Sequence, residues 1–245
     1  PVALLMENRP DYIAAWLGLF KVGAEVALIN TNLVGPSLAH CLDDLHTKLT
    51  IPASGIINVA FVVSDGTTLI DVAGPMQTFD QVQVPGNQGF RTYTVSENTK
   101  PIRAGTMTVV PDYSFADAPE ADIVMVGAQR GASEPYLKYY RDMNARGKLM
   151  LSVCTGVSKF AAAGILDGKQ ATTHHDYVDD FQKRFPKVTF VRDRAWVQSA
   201  PNIYAAGGET SGIELALHII ELYFDHDAAV RTARYMEYRG PDWQR

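Results

Sequence analysis

Long apolar runs are missing from this chain. None approaches the ~20 residues a helix needs to cross a bilayer, so a membrane partner is not expected. Clustered positive charge is missing as well. The formal net charge is -5 and no Lys/Arg run exceeds two residues, which argues against the phosphate-binding footprint of a nucleic-acid protein. Cysteine is scarce. Cys41 and Cys154 are too few for a disulfide framework, and a reducing compartment, the cytoplasm, is the expected location. No basic stretch leads into an apolar run with a small-residue cleavage site, so no secretory leader is expected. The start at Pro1 in place of Met fits a fragment, a processed form or a fusion.

What is present is an ordinary globular composition. The chain has 245 residues, 47% hydrophobic and 20% charged, enough for one or two domains with a sizeable core. Residues 1 to 50 differ in character from the rest. Val2 to Met6 and Val26 to Ile29 are short strand candidates, and Ile13, Trp16, Leu17 and Phe20 fall at helical spacing between them. This β-α-β-like piece is too short to be stable unaided. The strings Met6-Glu7-Asn8-Arg9-Pro10, Trp16-Leu17-Gly18-Leu19 and Ala27-Leu28-Ile29-Asn30-Thr31-Asn32 resemble the N-terminal part of fatty-acid transport proteins, the very-long-chain acyl-CoA synthetases. That resemblance covers about residues 1 to 45 and none of the family's phosphate-loop or adenylate-binding motifs. Acyl-CoA ligase activity is therefore not expected, and the segment reads as a remnant.

Residues 51 to 55, Ile-Pro-Ala-Ser-Gly, read as a linker. From Ile56 onward short β-rich runs alternate with helical patterns. Strands are expected at Ile57 to Val63, Phe90 to Val95, Thr106 to Val110, Ile123 to Val126, Leu149 to Val153, Thr189 to Val191, Trp196 to Gln198 and Ile203 to Ala205. Helices are expected at Asp71 to Val82, with Pro75 near its first turn, and at Pro135 to Arg146, Val157 to Ala163, Glu209 to Phe224 and His226 to Tyr235. Such alternation predicts an α/β fold for residues 56–245, a largely parallel sheet covered on both faces.

Leu149-Met150-Leu151-Ser152-Val153-Cys154-Thr155-Gly156 carries the chemistry. An apolar strand delivers the chain to a cysteine, and Gly156 permits a sharp turn into a helix. A nucleophile held there projects from a strained elbow at the carboxyl end of the sheet. The helix N-terminus behind it favours thiolate over thiol, so a depressed Cys154 pKa is expected. For Cys41 the plainer reading holds, a cysteine serving as a small hydrophobe.

These residues resemble the ThiJ/PfpI superfamily. The resemblance rests on Val153-Cys154-Thr155-Gly156, Ala163-Gly164-Ile165-Leu166-Asp167-Gly168-Lys169 and Ala171-Thr172-Thr173-His174. It extends through Gly207-Gly208-Glu209-Thr210-Ser211-Gly212-Ile213-Glu214-Leu215-Ala216-Leu217 and Met236-Glu237-Tyr238. It spans about Ile56 to Trp243 and implies a flavodoxin-like three-layer sandwich, usually a homodimer. The superfamily includes isonitrile hydratases, a protein deglycase and the ligand domains of some AraC-type regulators. The resemblance places an acidic residue beside the cysteine, here Asp71 in Leu69-Ile70-Asp71-Val72-Ala73-Gly74-Pro75. Read locally, the same Asp71 is a helix N-terminal cap.

Cys-Thr and Asp-x-x-Gly-Pro resemble the isonitrile hydratase branch. They imply a small-molecule substrate, with Cys154 attacking carbon, Asp71 handling the proton and Thr155 orienting the acid, water or substrate. Thr155 also reads as a mere support for the elbow. Relatives carry Gly-Gly after the strand that here is Ile123 to Val126. This chain has Gly127-Ala128-Gln129-Arg130-Gly131, which leaves Gly127, Ala128 and Gln129 as candidate pocket or backbone donors and changes the pocket shape. His174, twenty residues after Cys154, is a candidate proton shuttle or a strand-end residue. Adjacent histidines usually diverge, so His174-His175-Asp176 is not expected to bind metal, and no cofactor is expected. His218 and Glu221 do not reproduce the pair of class I glutamine amidotransferases. Three alternatives to isonitrile hydration stand beside it: redox sensing through a Cys154 sulfinate, glyoxalase or deglycase chemistry, and non-catalytic ligand binding. DNA binding is not expected, because the chain ends about five residues after Gly240, where regulator relatives continue.

Overall fold

The computed structural model describes residues 2–5, 26–29, 51–52, 55–84, 86 and 88–240. The chain divides into two units, Pro1–Thr50 and Ile51–Arg245. In the first, β1 (Val2–Leu5) and β2 (Val26–Ile29) pair in parallel with Val2 opposite Val26. The helix expected around Ile13 to Phe20, and Cys41, lie outside the described residues.

The second unit begins with β3 (Ile56–Val62), α1 (Leu69–Asp80) and β4 (Gly89–Ser96). A hairpin, β5 (Ile102–Ala104) and β6 (Met107–Val109), precedes β7 (Tyr113–Ser114), β8 (Ile123–Val126) and α2 (Glu134–Ala145). Then come β9 (Leu149–Ser152), α3 (Val157–Ala162), β10 (Gln170–Ala171), α4 (Val178–Arg184) and β11 (Thr189–Phe190). The unit closes with β12 (Trp196–Ala200), β13 (Ile203–Ala206), α5 (Ser211–Tyr223) and α6 (His226–Tyr235). Seven strands form one sheet in the order β12-β13-β9-β8-β3-β4-β7, parallel throughout except where β12 meets β13.

Both faces of this sheet are apolar, which is why its central strands read as continuous hydrophobic runs. Ala60, Val62, Val124, Val126 and Met150 share one cluster with Tyr140 of α2, Phe160 of α3 and Phe181 of α4. On the opposite side Phe61 meets Phe79 of α1 edge-on, and Phe90 packs between Phe79 and Tyr223 of α5. The result is the expected three-layer α/β arrangement.

Three expectations need correction. Thr106 to Val110 does not join the sheet; Met107–Val109 folds back on Ile102–Ala104 as an antiparallel hairpin. Thr189–Phe190 pairs only with Gln170–Ala171, in a separate two-stranded sheet. The first helix of this unit starts two residues early, at Leu69, so Pro75 sits inside it and not in its first turn. Proline has no N–H, so the Asp71 carbonyl loses its partner one turn on.

Candidate active site

The chain winds from β3 through β4 to β7 on one side, then returns to build β8, β9 and β13 on the other. The reversal leaves a crevice at the carboxyl ends of β3 and β8, where open α/β sheets hold their ligands. Four loops end there. Asp71 follows β3, Gly127 and Ala128 follow β8, Cys154 follows β9, and Gly207 to Glu209 follow β13.

Cys154 has φ 58, in the left-handed region that L-residues avoid. This is the strained elbow expected from the strand-Cys-Thr-Gly string. Two hydrogen bonds hold it: Cys154 N–H donates to the Gly207 carbonyl at 2.7 Å, and Thr173 Oγ1 donates to the Cys154 carbonyl at 3.0 Å. Gly156 allows the turn to nest against β8. A Cβ there would lie 2.5 Å from the Val126 carbonyl oxygen and 2.8 Å from the Gly127 carbonyl carbon. Those are backbone atoms held by the β8–β9 ladder and cannot yield. Gly156→Ala is therefore expected to cost about 3 kcal/mol of stability, read as a lower midpoint in urea unfolding.

Asp71 lies in the first turn of α1 and is wholly buried, yet caps nothing. Its Oδ2 accepts the Ala128 N–H at 2.9 Å, while Oδ1 is buried without a well-formed hydrogen bond. The Cys154 thiol is the donor that bears on this carboxyl. Gly127 makes the approach possible, since a Cβ at that position would fall 2.6 Å from Asp71 Cβ. The cap reading of Asp71 is thus set aside, and Ala128 serves the acid in place of facing the sulfur. Gln129 turns away from the crevice. Its amide donates to the Val62 carbonyl at 3.2 Å and its oxygen accepts from Thr67 at 3.3 Å, so it supports the loop and is no pocket donor.

Burial pushes the Asp71 carboxyl up from 3.8 to about 6; the Ala128 N–H opposes this and the Glu209 carboxylate adds to it. Burial also pushes the Cys154 thiol up, from 9.0 to about 11, and repulsion from Asp71 reinforces the rise. The depressed thiol expected from the sequence is therefore overturned. Backbone N–H groups of Thr155 and Glu209 favour the thiolate, but Cys154 is only 7% exposed. The helix behind it is short, a three-residue 3-10 turn followed by the six residues of α3. That geometry offers too little dipole to offset the desolvation of a charge. A redox sensor needs a readily formed thiolate, and burial works against it here as it does for any reaction of this sulfur. Both shifts run in the same direction, so burial favours keeping a proton on the pair over losing it.

Thr155 is half-buried. Its carbonyl accepts from Ser158 Oγ at 2.7 Å, and its hydroxyl has no partner among the described residues. His174 reaches the crevice from the other side. Its charge bears on Asp71, and its ring packs so close to Gly208 that a Cβ there would fall 2.6 Å from Cδ2. His174 Nδ1 accepts the Asp176 N–H at 3.3 Å. Nε2 is the ring nitrogen nearer Gly208.

The two adjacent histidines do not diverge as expected. Their rings stack with centroids 4.4 Å apart, and their ligand-capable atoms lie within 4.8 Å of one another and of Asp176. The cluster is exposed at His175 and Asp176, comes from three consecutive residues and is joined by no fourth ligand among the described residues. A cavity of about 350 Å³ opens beside it, lined by Thr173, His174, Arg194, Gly208 and Glu209 among others. Cys154 does not line this cavity, but Gly207, which does, accepts the Cys154 N–H on its carbonyl.

Glu209 is the residue that sequence reasoning missed. It was legible only as part of a motif, since a carboxylate after two glycines carries no local sign of facing a cysteine 55 positions earlier in the chain.

The family model described as "DJ-1/PfpI family" matches residues 57–222. The isonitrile hydratase of Pseudomonas putida is 27% identical over 191 residues, covering 74% of this chain and 78% of that protein. The HTH-type transcriptional regulator GbdR of Pseudomonas aeruginosa is 27% identical over 174 residues, and the match spans 66% of this chain but only 46% of the regulator. The fold superimposes on Drosophila melanogaster DJ-1beta with a TM-score of 0.64 at 15% identity, over 75% of this chain and 99% of that one. A separate stretch of 50 residues, 20% of the chain, is 54% identical to long-chain fatty acid transport protein 1 of Bos taurus and covers 8% of it.

Proposed function

Because the chain belongs to the DJ-1/PfpI family, we propose that its Cys154 site is that of a cysteine enzyme acting on a small electrophilic carbon compound, most specifically an isonitrile. The observation that carries this reading is Cys154 on a left-handed elbow with the buried Asp71 carboxyl bearing on its thiol. Adding a thiol across an isonitrile carbon needs one sulfur nucleophile and one proton delivered to the same carbon. Cys154 supplies the sulfur, and Asp71, whose carboxyl burial pushes up, supplies a group that can carry the proton.

Sγ attacks the terminal carbon of R–N≡C while the Asp71 carboxylate takes the thiol proton and passes it to that carbon, giving the thioimidate R–N=CH–S–Cys154. Water then adds to the carbon; one of its protons goes to nitrogen and the other returns to sulfur as the C–S bond breaks. The product is the N-substituted formamide R–NH–CHO, and the free thiol is restored. Asp71 acts as base and then acid, a role suited to a carboxyl held at about 6. In this scheme His174 and the Thr155 hydroxyl, which has no partner among the described residues, orient water or substrate nitrogen. The working form is a homodimer in a reducing compartment, where Cys154 stays free.

A panel of small isonitriles, with formamide measured for wild type and Cys154→Ala, tests the proposal. Turnover by wild type alone supports it, and equal background rates in both proteins remove it. A second reading, a non-catalytic small-ligand domain, is favoured by the raised thiol and by the regulator relative. Under that reading an isonitrile or its analogue binds without product forming.

A further inference from the structure

We propose that Glu209 is the positioning residue of the Cys154 site: its left-handed backbone aims an N–H at the sulfur, and its carboxylate sets the charge felt by the Asp71–Cys154 pair. This deepens the cysteine-centred reading above and rests on Cys154 being the reacting group.

The geometry begins with strain. Two non-glycine residues with positive φ meet at this point, Cys154 at 58 and Glu209 at 43. Such conformations are unfavourable for L-residues and persist only where the surroundings enforce them. The enforcing contacts are present on both sides of Glu209. Gly207 N–H donates to the Ala195 carbonyl at 2.8 Å, and the Gly207 carbonyl accepts from Cys154 N–H. Just beyond, Ser211 N–H donates to the Gly208 carbonyl and Gly212 N–H to the Glu209 carbonyl, both at 3.1 Å. The loop is thus tied to Ala195 just before β12, to the nucleophile and to the start of α5. The turn at Glu209 directs its N–H toward Sγ, beside that of Thr155.

The Glu209 residue also lines the open cavity. Its carboxylate is exposed to solvent and has no ion-pair partner among the described residues, although Arg194 lines the same cavity. An uncompensated negative charge there disfavours ionisation of both groups beneath it, and its influence reaches Asp71 as well as Cys154. The other charges facing the pair are His174, which acts in the opposite sense on Asp71, and the two members on each other. Glu209 therefore pulls in two directions. Its N–H stabilises the thiolate and its carboxylate opposes it, so that sulfur and acid keep the proton they must later deliver.

The test is the pH dependence of Cys154 alkylation by iodoacetamide in the full chain, for wild type, Glu209→Gln and Glu209→Gly. Gln removes the charge and keeps the side-chain volume; Gly removes the charge and adopts the left-handed turn without strain. Both are expected to alkylate about three-fold faster or more at pH 8 at low ionic strength. The gain should shrink toward wild type in 1 M NaCl, where the Debye length is about 3 Å. A profile for Glu209→Gln that superimposes on wild type at low salt would overturn the proposal, as would a gain that salt leaves unchanged. Alkylation uses no isonitrile, so failure of wild type to turn over isonitriles would remove the proposed reaction and leave this result standing.

Discussion

Cys154→Ala is expected to bring formamide production down to the uncatalysed rate while leaving the fold intact. The scheme has no route around the sulfur, because the thioimidate is formed on it and the water step displaces it. Every other group at the site acts on a proton or on orientation, contributions typically worth about 10²–10⁴-fold, whereas loss of the nucleophile removes the intermediate itself. The fold should tolerate the change. Cys154 is held by its backbone, through the Gly207 and Thr173 hydrogen bonds, and alanine keeps both. Alanine at φ 58 is strained no more than cysteine is. The measurement is steady-state formamide release beside thermal unfolding. A variant that keeps a substantial fraction of wild-type turnover would assign the chemistry elsewhere.

Asp71→Asn is expected to cut turnover by about 10²–10⁴-fold and, at the same time, to make the protein more stable at alkaline pH. Asparagine keeps the acceptor for the Ala128 N–H and fits the space that Gly127 leaves, but it neither takes nor gives the thiol proton. The stability sign follows from the direction of the shift. The folded protein holds the Asp71 proton more tightly than the unfolded chain, whose carboxyl titrates near 3.8 against about 6 in the fold. The folded state therefore gains from this group in full below 3.8, and the gain is lost as pH rises through 6. Above that, wild type keeps a buried carboxylate at a cost of roughly 3 kcal/mol, which asparagine avoids. For a chain of this size that corresponds to roughly 6 to 12 °C in melting temperature. Melting at pH 8 should favour the variant and melting at pH 4 should not; equal differences at both would show that the carboxyl is not held neutral by its surroundings. Repulsion on the sulfur also falls in this variant, so Cys154 should alkylate at lower pH than in wild type. Lost turnover together with a more reactive thiol separates a proton-handling role from general damage to the site.

The strain at Cys154 explains why part of this site could be read in advance. An apolar strand ending in Cys-Thr-Gly allows few geometries, because the chain must reverse within one residue and the glycine must tuck under the preceding strand. Local sterics dictate that, and local sterics are written in consecutive residues. The same holds for the runs Ile123–Val126 and Leu149–Ser152, whose unbroken apolarity announces strands buried on both faces. Pro75 shows the limit of such reading. A proline near a candidate helix start suggests a first-turn position, but the start itself was set by Leu69 and Ile70, which the pattern alone did not include.

What the chain determined by itself is therefore the list of parts: parallel strands, a cysteine on an elbow, an acid after β3 and a glycine-rich loop after β13. Tertiary structure alone decided the proton. Whether Cys154 is a thiol or a thiolate depends on how much water reaches the sulfur and which charges surround it. Those charges come from Asp71 and Glu209, 83 residues before it and 55 after it in the chain. Electrostatic coupling acts through space and desolvation through burial, and neither quantity exists until the three loops have been brought to one end of the sheet.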